Sequence, residues 1–264
     1  MSRGRLCLLL AVAATGLGGL PAPGAAGAAS TTSSSNWAGY AVRRSGVRFR
    51  RVSATWVQPA VACASPEPTY SATWVGLGGY DEASAALEQV GTEADCSPGG
   101  RASYSTWYEL VPAAAHTAKL KIRPGDTVSA SVVVNGHRVR LRIADVTRGT
   151  LLVKRLRASA VDTSSAEWIV EAPAVCVGTA ASDANCRATA LSNFGTTRFS
   201  RIRATTTRGH TGTISDAAWS ATAISLVPAF GDPRFDRAAS IGQATPEDLS
   251  AAGDAFSVVY AASE

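Results

Sequence analysis

P-G-D-T-V-S-A-S-V-V-V-N-G-H-R-V-R-L-R-I, residues 124 to 143, is the stretch that decides the fold class. After the Pro124-Gly125-Asp126 turn, Val128, Ala130, Val132 and Val134 alternate with neighbours that are small or polar except Val133. A period of two marks a strand with one buried face. Asn135-Gly136 supplies the left-handed backbone that a tight hairpin turn needs. On the return, Val139, Leu141 and Ile143 share one face and Arg138, Arg140 and Arg142 the other, so one side of this hairpin lies in water.

Outward from this hairpin, short runs rich in Val, Thr, Trp and Tyr recur between Gly and Pro punctuation. Strands are expected at 37–42, 52–57, 70–77, 86–91, 103–111 and 117–122 before it, and at 151–153, 164–172, 191–194, 198–204, 221–227 and 255–261 after it. One helix is expected: Thr245-Pro246-Glu247-Asp248 has a capping Thr and Pro at the first helical position, with Gly253 as its stop. No composition break separates two domains, and no repeat of fixed period is present. Many antiparallel strands with turn chemistry between them imply an all-β, two-sheet antiparallel β-sandwich or jelly roll, with a closed barrel as its rival.

Arg3 and Arg5 ahead of an apolar run from Leu6 to Leu20, then Ala26-Gly27-Ala28, read as a secretory signal peptide over residues 1–28. Secretion is therefore the expected localisation. Residues 29–35, A-S-T-T-S-S-S, read as a flexible tail, and 36–264 as one domain of strands. No later stretch offers about 18 uncharged apolar residues, so no membrane association is expected once the leader is gone. With Cys7 in the leader, four cysteines remain, and locality favours Cys63 with Cys96 and Cys176 with Cys186. The absence of C-x-x-C and a total of three histidines speak against a zinc site. Without Arg3 and Arg5 the chain has 23 basic and 20 acidic residues, a weak balance. The arginines are scattered through strand-like segments, which argues against a nucleic-acid partner and for a solvated basic surface.

Ser164 to Ala172, S-S-A-E-W-I-V-E-A, places carboxylates in an otherwise buried strand. Glu167, Ile169 and Glu171 point one way, Trp168 and Val170 the other. Buried carboxylates need partners, so either Arg or Lys pairs with them across the sheet or they belong to a site. The sequence has no G-x-S-x-G, H-E-x-x-H, P-loop, D-T-G or D-S-G. His116 and His137 read as surface residues, and His210, in R-G-H-T-G-T, reads as a turn residue. Carboxylates and neutral amides remain. In L-E-Q-V-G, alternation separates Gln89 from Glu88; in Y-S-T-W-Y-E-L-V, Ser105, Trp107 and Glu109 share a face.

S-N-W-A-G-Y (35–40), T-W-V-G-L-G-G (73–79), L-E-Q-V-G (87–91), W-Y-E (107–109) and A-E-W-I-V-E (166–171), in this order, resemble the glutamic peptidases, or eqolisins, family G1. The resemblance spans nearly the whole chain after the leader. It implies a concanavalin-like sandwich of two curved sheets and an endopeptidase active in acid with a Gln and Glu dyad. By motif the dyad is Gln89 and Glu171, with Trp37, Trp74, Trp107 and Glu109 lining the substrate cleft. It further implies polypeptide substrates, no cofactor, no metal and a monomer. Fungal members carry acids where this chain has Gly78 and Ser105, so subsite preference and the acid optimum are open. Seven residues between the expected cleavage site and Asn36 leave no room for the long propeptide of fungal members.

A carboxylate can take a proton from water and return it to the departing amine, and a Gln amide can donate to the oxyanion. Two other readings compete: a secreted carbohydrate-binding sandwich, and a glycosidase using Glu109 and Glu171.

Overall fold

The computed structural model describes residues 29–81, 84–176, 186–227 and 242–262. These residues form two sheets stacked face to face. The first runs β1 (Ser30–Ser34), β18 (Ser220–Leu226), β2 (Trp37–Arg43), β12 (Ser165–Glu171), β5 (Ala72–Gly78), β6 (Leu87–Cys96), β7 (Ala102–Val111) and β8 (His116–Ala118). The second runs β11 (Thr150–Arg157), β10 (Arg138–Asp145), β9 (Thr127–Asn135), β3 (Phe49–Val57), β16 (Thr196–Thr206), β20 (Phe256–Ala261) and β19 (Gln243–Pro246).

A single pair, Leu226 with Ala244, links the sheets at one rim, so the arrangement is a sandwich. Minor strands complete it: β4 (Thr69–Tyr70) beside β15 (Ala190–Leu191), β17 (Thr211–Gly212) on β16, and a separate pair of β13 (Ala174–Cys176) with β14 (Cys186–Ala188). Pairing is antiparallel except for β1 with β18 and β4 with β15.

Alternation builds the core. Tyr40, Val75, Trp168 and Val170 point inward from the first sheet and meet Val52, Trp56, Leu141, Phe199 and Phe256 from the second. Two indoles bond across the layers: Trp56 Nε1 donates to Thr92 Oγ1 at 3.2 Å, and Trp168 Nε1 to the Ser53 carbonyl at 3.1 Å. Buried Trp is stable when its N–H finds such a partner. The opposite face of the first sheet carries a second apolar cluster around Trp37, Trp74, Trp107 and Ile169, and this is the face of interest.

Three expectations change. The polar segment 29–35, read as a flexible tail, instead contributes β1, because parallel pairing with β18 satisfies its backbone where its side chains offer no apolar signal. The helix expected at 245 is the edge strand β19, with Thr245 opposite Val259 and Glu247 N–H donating to the Ser257 carbonyl at 2.7 Å. A segment stopped by Gly253 could form only about two helical turns, too few to repay nucleation, so the sheet edge wins. The run 117–122 pairs only over His116–Ala118. Cys63 and Cys96 are bonded; the expected pairing of Cys176 with Cys186 lies outside the described side chains.

Candidate active site

Residues opposite each other on neighbouring strands share a face, so the register of the first sheet lays out the site in rows. In the first, Glu171 stands between Trp37 and Ala72. In the second, Ile169, Trp74, Gly91 and Trp107 line up across β12, β5, β6 and β7. The third is Glu167, Gly76, Gln89 and Glu109. All six residues that the sequence assigned to catalysis or substrate therefore lie on one face.

Glycine makes room for the indole at the centre. A Cβ on Gly91 would sit 2.6 Å from that of Trp74, and one on Gly76 would sit 2.8 Å from Trp74 Cζ3. The Trp74 ring thus lies flat along bare backbone, edge-on to Trp37 with centroids 5.0 Å apart. Its Nε1 donates to Glu171 Oε2 at 2.7 Å, while Asn36 Nδ2 donates to Oε1 at 3.4 Å. The partners of Glu171 are an indole and an amide rather than the Arg or Lys of the cross-sheet alternative. Burial pushes its carboxyl up to about 8; the Trp74 bond opposes this, the Glu109 charge adds to it, and Trp37 and Asn36 oppose it further.

Gln89 and Glu171 are not side by side. They stand two strands apart, with Glu171 level with Glu93, four residues along β6 from Gln89. Glu109 connects them: Gln89 Nε2 donates to Glu109 Oε2 at 2.6 Å, and the Glu109 charge is felt at Glu171. Glu167 shares the row of Gln89, but Trp74 and Leu87 crowd over the intervening Gly76.

Glu167 belongs to a different group. It is fully buried, as is Glu88 on the other face of β6, and neither carboxylate has a hydrogen-bond partner by strict geometry among the described residues. Burial, then the charge of Asp162, raises Glu88 to about 8; burial raises Glu167 well above the usual range. Asp162 stays below its ordinary value despite burial, because Ser84, Ser164 and Gly79 donate to it.

Asn36 is a site residue that the sequence reading did not single out. Its signal is its place beside Trp37 in S-N-W-A-G-Y. His210 is occupied with Asp216 at 3.0 Å on the surface, as its turn setting implied. Among the described residues no cluster of His, Cys, Asp and Glu could hold a metal.

Comparison with known proteins agrees with this geometry. Residues 35–227 match the profile of the Peptidase A4 family. No curated protein matches the chain by sequence. Among solved structures, scytalido-glutamic peptidase with a peptide-based transition state analog is similar, with a TM-score of 0.65 and 22% identity over 86% of this chain and 98% of that one. SCP-B, a member of the eqolisin family in complex with the tripeptide Ala-Ile-His, gives a TM-score of 0.62 with the same identity and coverage. Aspergilloglutamic peptidase from Aspergillus niger gives 0.50 at 24% identity, over 73% of this chain and 99% of that one. At such identities the structures show the shared fold, and the profile match over most of the chain supplies the rest. The chain belongs to the Peptidase A4 family, the glutamic peptidases whose motifs it carries in order.

Proposed function

We propose that this peptidase works in acid, outside the cell, with Glu171 moving the protons and Gln89 holding the oxyanion. The observation that supports it is a buried carboxyl on an aromatic face, held by Trp74 and Asn36 and raised to about 8. Such a group keeps its proton at the pH where an acid peptidase acts. The order of events therefore differs from base first, acid second. One Glu171 oxygen accepts a proton from the attacking water while the other passes the proton it already holds toward the scissile carbonyl oxygen, whose developing negative charge the Gln89 N–H shares until that proton arrives. The carboxyl is again neutral and then protonates the departing nitrogen; as the C–N bond breaks, the Glu171 carboxylate takes a proton back from one hydroxyl of the tetrahedral carbon, which leaves the new carboxylic acid, the amine and a neutral Glu171. Oε1 is the better placed oxygen for the mobile proton, because Oε2 is engaged at 2.7 Å and the Asn36 contact is long.

Gln89 has two N–H groups. One is committed to Glu109, which fixes the amide and leaves the other for the oxyanion. Removing an oxyanion donor costs roughly 2.7–4 kcal/mol, or about 100- to 1,000-fold in kcat. Gln89→Ala is expected to lose that much with KM little changed, and Glu171→Gln to lose nearly all cleavage of casein in acid with pepstatin present. A folded Glu171→Gln protein cleaving at the wild-type rate would refute the assignment.

A further inference from the structure

The second sheet turns its outer face away from the cleft, and its register collects arginines that the sequence disperses. Arg51, Val133, Arg140 and Arg155 form one row across β3, β9, β10 and β11. The row on the hairpin side pairs Arg138 with Arg157. The row on the other side holds Arg203, Ser53, Ser131 and Arg142. No Asp or Glu occupies a position in these rows. Arg203 donates from Nη1 to the Ile202 carbonyl at 2.7 Å and lies 3.8 Å from Asp254; among the described residues no salt bridge ties the other arginines of these rows to a carboxylate.

The same face ends in aliphatic side chains. Val57, Val146 and Leu151 are 50%, 53% and 54% exposed, and Val57 and Leu151 project on the side of the arginines by strand alternation. Carboxylates concentrate instead on the first sheet, in Glu88, Glu93, Asp95, Glu109, Glu167 and Glu171.

We propose that this outer face docks the protein on an anionic lipid surface, with the arginines on headgroup phosphates, the aliphatic rim at the headgroup boundary and the cleft facing solution. Strands about 4.8 Å apart and outward residues roughly 6.8 Å apart along each strand make a two-dimensional array of charge rather than a single line that would track one polymer. None of its rows carries an aromatic side chain on which a nucleic-acid base could stack. Half-exposed Val and Leu gain from a bilayer interface and gain nothing from a soluble polyanion. Guanidinium keeps its charge at any pH at which the protein is folded. This is peripheral contact; that no helix among the described residues is long and apolar enough to cross a membrane has no bearing on it.

The test is co-sedimentation of the whole protein with phosphatidylcholine vesicles, alone and with phosphatidylglycerol admixed. Binding is expected only to the mixed vesicles and should fall as salt is raised. Arg51→Gln/Arg140→Gln/Arg155→Gln should weaken it about 100-fold, at roughly five-fold per charge, with thermal stability and cleavage of a short soluble peptide unchanged. Leu151→Ser should weaken it at constant charge. Equal binding to pure phosphatidylcholine, indifference to the triple substitution, or retention on heparin without vesicle binding would each overturn the proposal.

Discussion

The proton on Glu171 depends on a balance between its burial and a few donors, and Trp74 is the strongest of these donors. A hydrogen bond to the charged form lowers a carboxyl pKa. Trp74→Phe keeps most of the packing and removes the 2.7 Å bond, so Glu171 should move above about 8. The alkaline limb of the kcat/KM profile should shift upward with it, while kcat falls because the carboxyl is less well oriented. The proposed pair of Gln89 and Glu171 was picked out in the sequence through ordered motifs alone; strand alternation could not separate Glu171 from Glu167. Asn36 escaped because a lone amide before a Trp looks like any turn residue, and its partner lies 135 positions away.

At the level of elements, β6 carries Gln89 toward the cleft and Glu88 away from it, and among the described residues no cation pairs with Glu88. Its folded pKa, about 8, lies above the ordinary 4.5, so the folded state binds the extra proton between those values. The resulting stability is fully present below about 4.5 and is lost as pH rises through about 8, at up to about 1.4 kcal/mol per pH unit. The raised Glu167 acts in the same direction. Melting temperature should therefore fall from acid to mild alkali, and Glu88→Leu should flatten that decline; an unchanged slope in Glu88→Leu would assign it to other groups. Strand periodicity was readable wherever one face was apolar, as in β9 and β10. It failed for β1, whose S-T-T-S-S has no apolar face, and for β19, where a good capping signal lost to a free sheet edge.

For the molecule as a whole, the sandwich was legible and its charge distribution was not. Arg51, Arg140 and Arg203 look dispersed along the chain because sequence distance says nothing about which strands become neighbours. The Cys63–Cys96 bridge, 33 residues apart, ties the β3–β4 connection to the end of β6. Cys63→Ser/Cys96→Ser should lose roughly 3–4 kcal/mol, from the freed loop in the unfolded chain. Denaturant unfolding would measure it, with the m-value rising as the freed chain exposes more surface.

β1 ends on Ser34, whose Oγ donates to Asn36 Oδ1 at 3.1 Å and accepts from the N–H groups of Asn36 and Trp37. This hydroxyl sets which way the Asn36 amide turns, and so which atom it offers to Glu171. Where the chain starts relative to Ser34 should therefore affect turnover. A chain beginning at Ser30 keeps the full relay, whereas one beginning at Ser35 keeps Asn36 but lets its amide rotate. The shorter form should bind peptides as well and turn them over more slowly, a difference that KM and kcat of the two forms would separate.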